Sequence, residues 1–368
     1  MGIEAQSFLK NYSNIRVFCI SPKSSIRKAI ACIDRNQKGI ALVIDNKRRL
    51  VGTISDGDVR RAWAEGRNLS TPVSDLLVRK AKSIYPRPIT APVGTDFSTL
   101  TKLMKEKVVR QIPLIDEDGR VVDLVTLEDL LPNGAEPLQA VIMAGGYGTR
   151  LRPLTQKLPK PMLSVGREPI LGRLIKQLRQ AGIRNVNIST YYKAGKIERH
   201  FGNGKALGVE LHYLKENRPL GTAGGLGLME ASKQPILVIN GDVLTNVNFR
   251  AMLDFHREHK ADMTVAVQKY DVQMAYGVVE TEDFFIRRIS EKPKFLYLVN
   301  AGIYLLEPSV LRLIPRGRRF DMTDLIEKLI KRDRRVISFP VREYWLDIGN
   351  HTEYKQAQGD MKKGRLKT

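Results

Sequence analysis

Residues 140–148 read AVIMAGGYG, five apolar residues and then three glycines in four positions. A short apolar run bounded by turn residues is a buried strand. Glycines directly after it let the backbone turn sharply and approach a ligand closely, and their N–H groups suit a phosphate. The pattern beyond this point alternates. PILGRLIKQLRQAG (169–182) is an amphipathic helix closed by Gly182, NVNIST (185–190) a strand and ILVINGD (236–242) another. FRAMLDFHREHK (249–260) is a helix and MTVAVQK (263–269) a strand. Such an order predicts an α/β fold, a mostly parallel sheet with helices on both faces. Ligands then sit at the carboxyl ends of the strands.

The glycine loop is not a dinucleotide fingerprint, because the third glycine of that motif falls at Leu151. Nor does the chain hold a G-x-x-x-x-G-K-[ST] run. Two cations follow the glycines, Arg150 and Lys160, in GGYGTRLRPLTQKLPKPML (145–163). Fixed cations beside a glycine loop suit a polyphosphate. This run resembles the sugar-1-phosphate nucleotidyltransferases, whose pattern GGxGTRLxPLTxxxPKP stands here unaltered. Further motifs follow in that family's order: LGTAGGL (220–226), NGD (240–242), YGVV (276–279), EKP (291–293), NAGIY (300–304) and WLDIGN (345–350).

The resemblance implies a Rossmann-like, GT-A-like domain and a role for each motif. Gly145, Gly146, Gly148 and Thr149 hold the nucleotide, with Gly221 and Thr222 near the base and sugar. Arg150 contacts the phosphates that leave as pyrophosphate, and Lys160 the α-phosphate. Asp242 and Asp347 hold a magnesium ion, for which hard oxygen ligands are apt. Lys292 grips the sugar phosphate, and Glu291, Gly277 and Asn300 contact the sugar. Taken singly the same residues read differently. Asp242 is then a strand-end cap, Lys292 a solvated charge, and Tyr276 and Trp345 core residues. His256 and His259 in HREH lack the H-E-x-x-H spacing of a metalloprotease and read as a solvated helix face.

Before residue 134 the chain repeats itself. LVIDNKRRLVGTISDGDVRRA (42–62) matches PLIDEDGRVVDLVTLEDLLPN (113–133) at an offset of 71 residues, Ile44 to Ile115. Each unit reads helix, strand, turn, strand, helix, with IALVI (40–44) and LVGTIS as strands and Asp56 opening a helix. The endings VGTISDGD and VDLVTLED resemble CBS domains, which work as tandem pairs and often bind an adenine nucleotide. The resemblance places Ser55 and Asp58, with Thr126 and Asp129, at that nucleotide. In the second unit Asp123 replaces the glycine of the pattern. The alternative is that Ser55 and Thr126 simply cap helices. The expected domains are 12–70 and 80–133 for the α+β CBS pair, 134–139 for a linker and 140–360 for the transferase.

The net charge is +22, about +6 of it before residue 140 and about +16 after. RGRR (316–319) and KRDRR (331–335) lack the aromatic interleaving of a single-strand binder, so nucleic acid is not the expected partner. MKKGRLKT (361–368) reads as a frayed tail. The start carries no basic and apolar leader, and no apolar run reaches membrane-spanning length. Only Cys19 and Cys32 are present, both read as inert packing residues, and a cytoplasmic protein is expected.

The CBS pair ahead of the transferase resembles bacterial guanylyltransferases acting on glucosamine 1-phosphate or mannose 1-phosphate. The expected reaction is transfer from GTP to a hexose or hexosamine 1-phosphate, for surface polysaccharide or nonulosonic-acid glycans. Thymidylyl or uridylyl transfer to glucose 1-phosphate, or a catalytically weak adenylate sensor, are the alternatives. A homo-oligomer is expected, and the apolar face of IRKAIACI (26–33) is one seat for it.

Overall fold

Strands Ile40–Ile44 and Leu50–Ser55 recur as Gln111–Ile115 and Val121–Thr126, at the offset of 71 that the sequence carries. Each pair is an antiparallel hairpin, and each gains a short parallel strand, Cys19–Ile20 or Ala91–Pro92. The computed structural model describes residues 15–82, 86–130, 138–230 and 232–366. The amino-terminal MGIEAQSFLKNYSN and most of the expected linker lie outside these residues.

The chain divides into two units, Met1–Pro137 with Asn248–Ala261, and Leu138–Val247 with Asp262–Thr368. In the first, the two hairpin turns exchange hydrogen bonds: the Leu50 N–H donates to Gly119 O at 3.0 Å and the Val121 N–H to Arg48 O at 3.2 Å. Behind this seam lies an apolar layer drawn from both repeats, with Phe18, Ile40, Leu42, Val121 and Leu124. The helix Ile26–Asn36 turns Ile26, Ala29, Cys32 and Ile33 into its own unit's core. The apolar face of IRKAIACI is thus consumed inside the unit and is not the free surface that the sequence suggests. The two thiols behave as packing groups. Each donates to a backbone carbonyl, and burial pushes Cys19 up to about 11 and raises Cys32 as well.

Helix Phe249–Glu258 belongs to this first unit, where Arg110 Nε meets Asp254 at 2.7 Å and Arg61 meets Glu258 at 3.7 Å. Its buried set, Phe249, Met252, Leu253, Phe255 and His256, wraps more than one stripe. His256 is therefore inside, 1% exposed, and not on a solvated face, while His259 Nδ1 lies 2.8 Å from Phe255 O.

The second unit is built on a seven-stranded sheet. Its order is Glu210–Lys215, Asn185–Thr190, Gln139–Met143, Ile236–Asn240, Lys294–Leu306, Met263–Gln273, Val336–Val341. Only Lys294–Leu306 runs against the others, so the sheet is largely parallel as expected. Asn185–Thr190 and Ile236–Asn240 flank Gln139–Met143 on opposite sides, so successive connections leave that strand in opposite directions. The crevice this opens is where an α/β sheet takes its ligand, and the glycine loop follows immediately. Helix Ile170–Gln180 buries Ile170, Leu171, Leu174, Ile175 and Leu178 at the 3–4 spacing of one helix face. The carboxyl end is a further departure from expectation. Helix His351–Lys362 ends in a turn, and beyond it Leu366, read as part of a frayed tail, is buried with Leu151, Val165 and Ile348, while residues 367–368 of that tail lie outside the described residues. The side chain of Asn246 secures this end by donating to Arg365 O at 2.9 Å.

In the first unit Arg60 has no exposed surface, and its guanidinium pairs with Asp56 one helical turn earlier. Removing one partner of a buried pair weakens the compensation of the other charge. Asp56→Ala is expected to destabilise the unit, read as a lower midpoint in urea unfolding. An unchanged midpoint would show that Arg60 does not depend on this carboxylate.

Candidate active site

The glycine loop is shaped by what lies beneath it. Gly148 sits at φ 64°, and a Cβ there would come within 2.9 Å of Thr155 Cγ2 and 3.1 Å of Lys160 Cβ. Thr155 Oγ1 donates to Gly148 O at 2.8 Å and holds the turn in place. Gly146 and Thr149 are exposed above it, and Arg150 stands in the one-turn helix Thr149–Leu151.

Lys160 is buried at 8% exposure and reaches beneath the loop to Asp242, with which it forms an ion pair. The same ammonium lies 3.9 Å from Asp347 Oδ1. These two acids are far apart in sequence, and a small two-stranded patch brings them together. Val243–Thr245 pairs antiparallel with Trp345–Asp347, Val243 opposite Asp347, and the Ile348 N–H donates to Asp242 O at 3.1 Å. Trp345 is half-buried, its indole N–H on Ala301 O at 2.8 Å.

Burial, and then the charge of Asp242, push the Asp347 carboxyl up to about 6. Its folded-state value lies above the unfolded one near 4, so ionising it opposes folding. That cost is absent below about pH 4 and complete above about pH 6. Asp347 Oδ1 is buried with no hydrogen-bond partner. An under-neutralised acid pair with an open oxygen fits a magnesium ion. That ion binds through one or two carboxylates and otherwise keeps waters and phosphate oxygens.

A third element is Glu216, which sequence reasoning missed. It follows strand Glu210–Lys215, accepts from the Ser189 hydroxyl at 2.7 Å on Oε1 and from the Leu220 N–H at 2.8 Å on Oε2. A Cβ at Gly145 would lie 3.1 Å from Glu216 Oε1, and one at Gly225 would lie 3.2 Å from the same oxygen and 2.3 Å from Ser189 Oγ. Both glycine-rich segments therefore close on one carboxylate. The available signal was its place, five residues before Gly221 at a strand's carboxyl end. Gly221 and Thr222 open a one-turn helix. The Thr222 N–H donates to Asp321 Oδ1 at 2.9 Å, and Thr222 Oγ1 accepts from the Met322 N–H at 2.8 Å.

Of the expected sugar residues, Gly277 and Glu291 are brought together elsewhere in the same unit. A Cβ at Gly277 would lie 3.1 Å from Glu291 Oε2, so YGVV and EKP meet. Lys292 follows at φ 44° and, like Glu291, is exposed. Asn300 is on strand Lys294–Leu306 and accepts from the Gly302 N–H at 3.0 Å. Tyr276 is 78% exposed, so the core reading it has when taken alone does not hold.

In the first unit Ser55 and Asp58 form a capping box on helix Asp56–Ala64. Asp58 is further held by Lys80 at 2.8 Å and Arg61 at 2.6 Å. The two cations keep its carboxyl below the usual range against the opposing effect of burial. Asp129 repeats the local bond, accepting from Thr126 Oγ1 at 2.6 Å and its N–H at 2.8 Å. A nucleotide ribose at Asp58 has to displace Lys80 and Arg61.

A glycine loop, a buried lysine and two carboxylates thus meet at the carboxyl edge of the largely parallel sheet. Residues 139–364 match the nucleotidyl transferase family model, and the chain belongs to that family. Residues 9–65 and 78–135 match the CBS domain. The mannose-1-phosphate guanylyltransferase of Mycobacterium tuberculosis is 34% identical over 236 residues, 62% of this chain and 65% of that protein. The mannose-1-phosphate guanylyltransferase catalytic subunit beta of Drosophila pseudoobscura pseudoobscura is 36% identical over 59% of this chain and 60% of its own length. The chain thus spans under two thirds of these curated relatives. A crystal structure titled as a putative glucose-1-phosphate thymidylyltransferase from Bacillus anthracis, in complex with a sucrose, is 28% identical with a TM-score of 0.51. It is matched over 60% of this chain and 94% of its own.

Magnesium is expected to raise the melting temperature of the wild-type chain at pH 7.5 and to leave Asp242→Asn and Asp347→Asn unmoved. The rise should shrink as pH falls through about 6, where a proton competes for Asp347. Equal magnesium shifts in all three proteins would remove these acids from the metal site.

Proposed function

We propose that this chain transfers a guanylyl group from GTP to a hexose or hexosamine 1-phosphate, releasing pyrophosphate. The reading rests on one observation, Lys160 held against Asp242 and near Asp347 directly under the glycine loop. In this reaction a sugar-phosphate oxygen attacks the α-phosphorus, and the bond from that phosphorus to the bridging oxygen of the leaving pyrophosphate breaks. The nucleophile is already anionic at neutral pH, so alignment and charge neutralisation carry the catalysis. Gly145, Gly146 and Gly148 bring backbone N–H groups to the triphosphate, and Arg150 takes the departing phosphates. Lys160 meets the α-phosphate. Asp242 and Asp347 would hold a magnesium ion, which when bound would supply the positive charge that lets two anions meet. Lys292 and Glu291 receive the sugar phosphate. The names of the curated relatives support the guanylyl and mannose-type reading. The cytoplasm and the supply of activated sugars for glycans are parts of the same proposal.

Glu216 gives the choice of base a physical footing. A carboxylate offers acceptors only, and each of its oxygens keeps a lone pair beyond the bonds from Ser189 and Leu220. The pairing edge of guanine presents two neighbouring donors, N1–H and the 2-amino group. That of uracil or thymine presents one donor between two carbonyls, which a carboxylate repels. Glu216→Gln is expected to lower kcat/KM for GTP by about 10- to 100-fold, the worth of a hydrogen bond to a charged group. It should lower that for UTP or dTTP far less. The measurement is pyrophosphate release across five nucleoside triphosphates and several sugar 1-phosphates. A wild-type preference for dTTP or UTP defeats the guanine reading. No release with any pair defeats the transferase reading and leaves the adenylate sensor.

Lys292→Ala is expected to raise KM for the sugar 1-phosphate about tenfold or more, as loss of a charged contact does, with little change in KM for GTP. A variant that weakens only the nucleotide would reverse the assignment.

A further inference from the structure

Residues 348–350 join strand Trp345–Asp347 to helix His351–Lys362, and one side chain of that helix holds the turn. Glu353 Oε2 accepts from the Gly349 N–H at 2.5 Å and from the Asn350 N–H at 2.9 Å. The Asn350 bond belongs to the helix's capping box, in which the Asn350 side chain accepts in turn from the Thr352 and Glu353 N–H groups. The Gly349 bond lies outside that box, and a capping role alone does not call for it. The same glycine borders Arg150. A Cβ at Gly349 would lie 2.9 Å from Glu353 Oε2 and 3.4 and 3.5 Å from the two terminal nitrogens of Arg150. His351 Nε2 lies 2.8 Å from Arg152 O, so the helix start is tied to the backbone two residues past Arg150. Gly349 is buried, whereas Arg150 is exposed and makes no hydrogen bond or ion pair among the described residues. Its guanidinium thus stands beside bare backbone with its donors open.

We propose that Glu353 is a positioning residue for Arg150, acting through the Gly349 backbone that it holds in place. The proposal rests on the reading of Arg150 as the group that meets the departing phosphates. A long side chain with no partner samples many rotamers, and ordering it when a ligand arrives costs binding energy. A backbone surface fixed by two hydrogen bonds, with no Cβ rising from it, limits the space open to the guanidinium and reduces that cost. Both bonds end on one oxygen of Glu353, so what the side chain supplies to the turn is an acceptor, and its charge is not required. The pyrophosphate end of the reaction is the end that senses this arrangement.

The reverse reaction reads that end directly. A pyrophosphate oxygen attacks the α-phosphorus of the nucleotide sugar, the bond from that phosphorus to the sugar-phosphate oxygen breaks, and the nucleoside triphosphate and sugar 1-phosphate leave. The full chain is given pyrophosphate, magnesium and the nucleotide sugar that the forward assay yields, GDP-mannose if the guanylyl reading holds. Glu353→Ala and Gly349→Ala are each expected to raise KM for pyrophosphate about tenfold, with little change in KM for the nucleotide sugar. Gly349→Ala removes no hydrogen bond, and its methyl meets only the ends of two flexible side chains, so its melting temperature is expected to hold even where Glu353→Ala lowers stability. Glu353→Gln keeps an oxygen for both N–H groups and is expected to recover most of the loss. In an Arg150→Ala background, Glu353→Ala should add little. A wild type that consumes no pyrophosphate overturns the reading of the site, and this proposal with it. With an active wild type, four results would each overturn the proposal alone: an unchanged KM for pyrophosphate in both alanine variants, equal rises for both substrates, a glutamine variant as impaired as the alanine, or a full further loss on top of Arg150→Ala.

Discussion

Asp242 and Asp347 repel one another, and the fold holds them side by side all the same. Backbone pairing between Val243–Thr245 and Trp345–Asp347, with the Ile348 N–H on Asp242 O, sets the two residues beside each other. The position of Lys160 follows from this constraint. A lysine at 8% exposure is rare unless paired, and here the acids supply the pairing. The glycine loop follows in turn, because Gly148 must pass over the Lys160 side chain with no room for a Cβ. Loop, lysine and acids are therefore one electrostatic assembly.

Much of this was legible in the sequence, for reasons that can be named. The strands IALVI, LVGTIS and NVNIST appear with the boundaries read from the sequence, since turn residues fence each of them. The glycine loop was legible in its unbroken motif, and the two acids only through the order of the motifs behind it, since Asp242 taken alone reads as a strand-end cap. What failed were statements about which apolar surface is covered. His256 was read as solvated and is buried. Leu366 was placed in a frayed tail and is packed. Composition says that a side chain is apolar or polar, and only the third dimension says what lies over it. Glu216 was missed for a related reason. A single acid at a strand end looks like ordinary solvation until two glycine segments from distant parts of the chain close on it.

The first unit shows how an internal repeat becomes architecture. Its two halves are joined by a reciprocal pair of backbone hydrogen bonds and by one apolar layer that draws on both. In the first repeat Asp58 is gripped by Lys80 and Arg61, a cationic clasp on its carboxylate.

The pairing that aligns the two site acids also orders events during synthesis. A growing chain on the ribosome carries the glycine loop, Lys160 and Asp242 well before Asp347 exists. Until Trp345–Asp347 emerges, Val243–Thr245 has no strand to pair with in its two-stranded patch. Lys160 and Asp242 can find each other early as an ordinary ion pair, and the repulsive second carboxylate arrives last. The nascent protein is thus spared its most strained charge arrangement until nearly all of the surrounding core is in place to hold it.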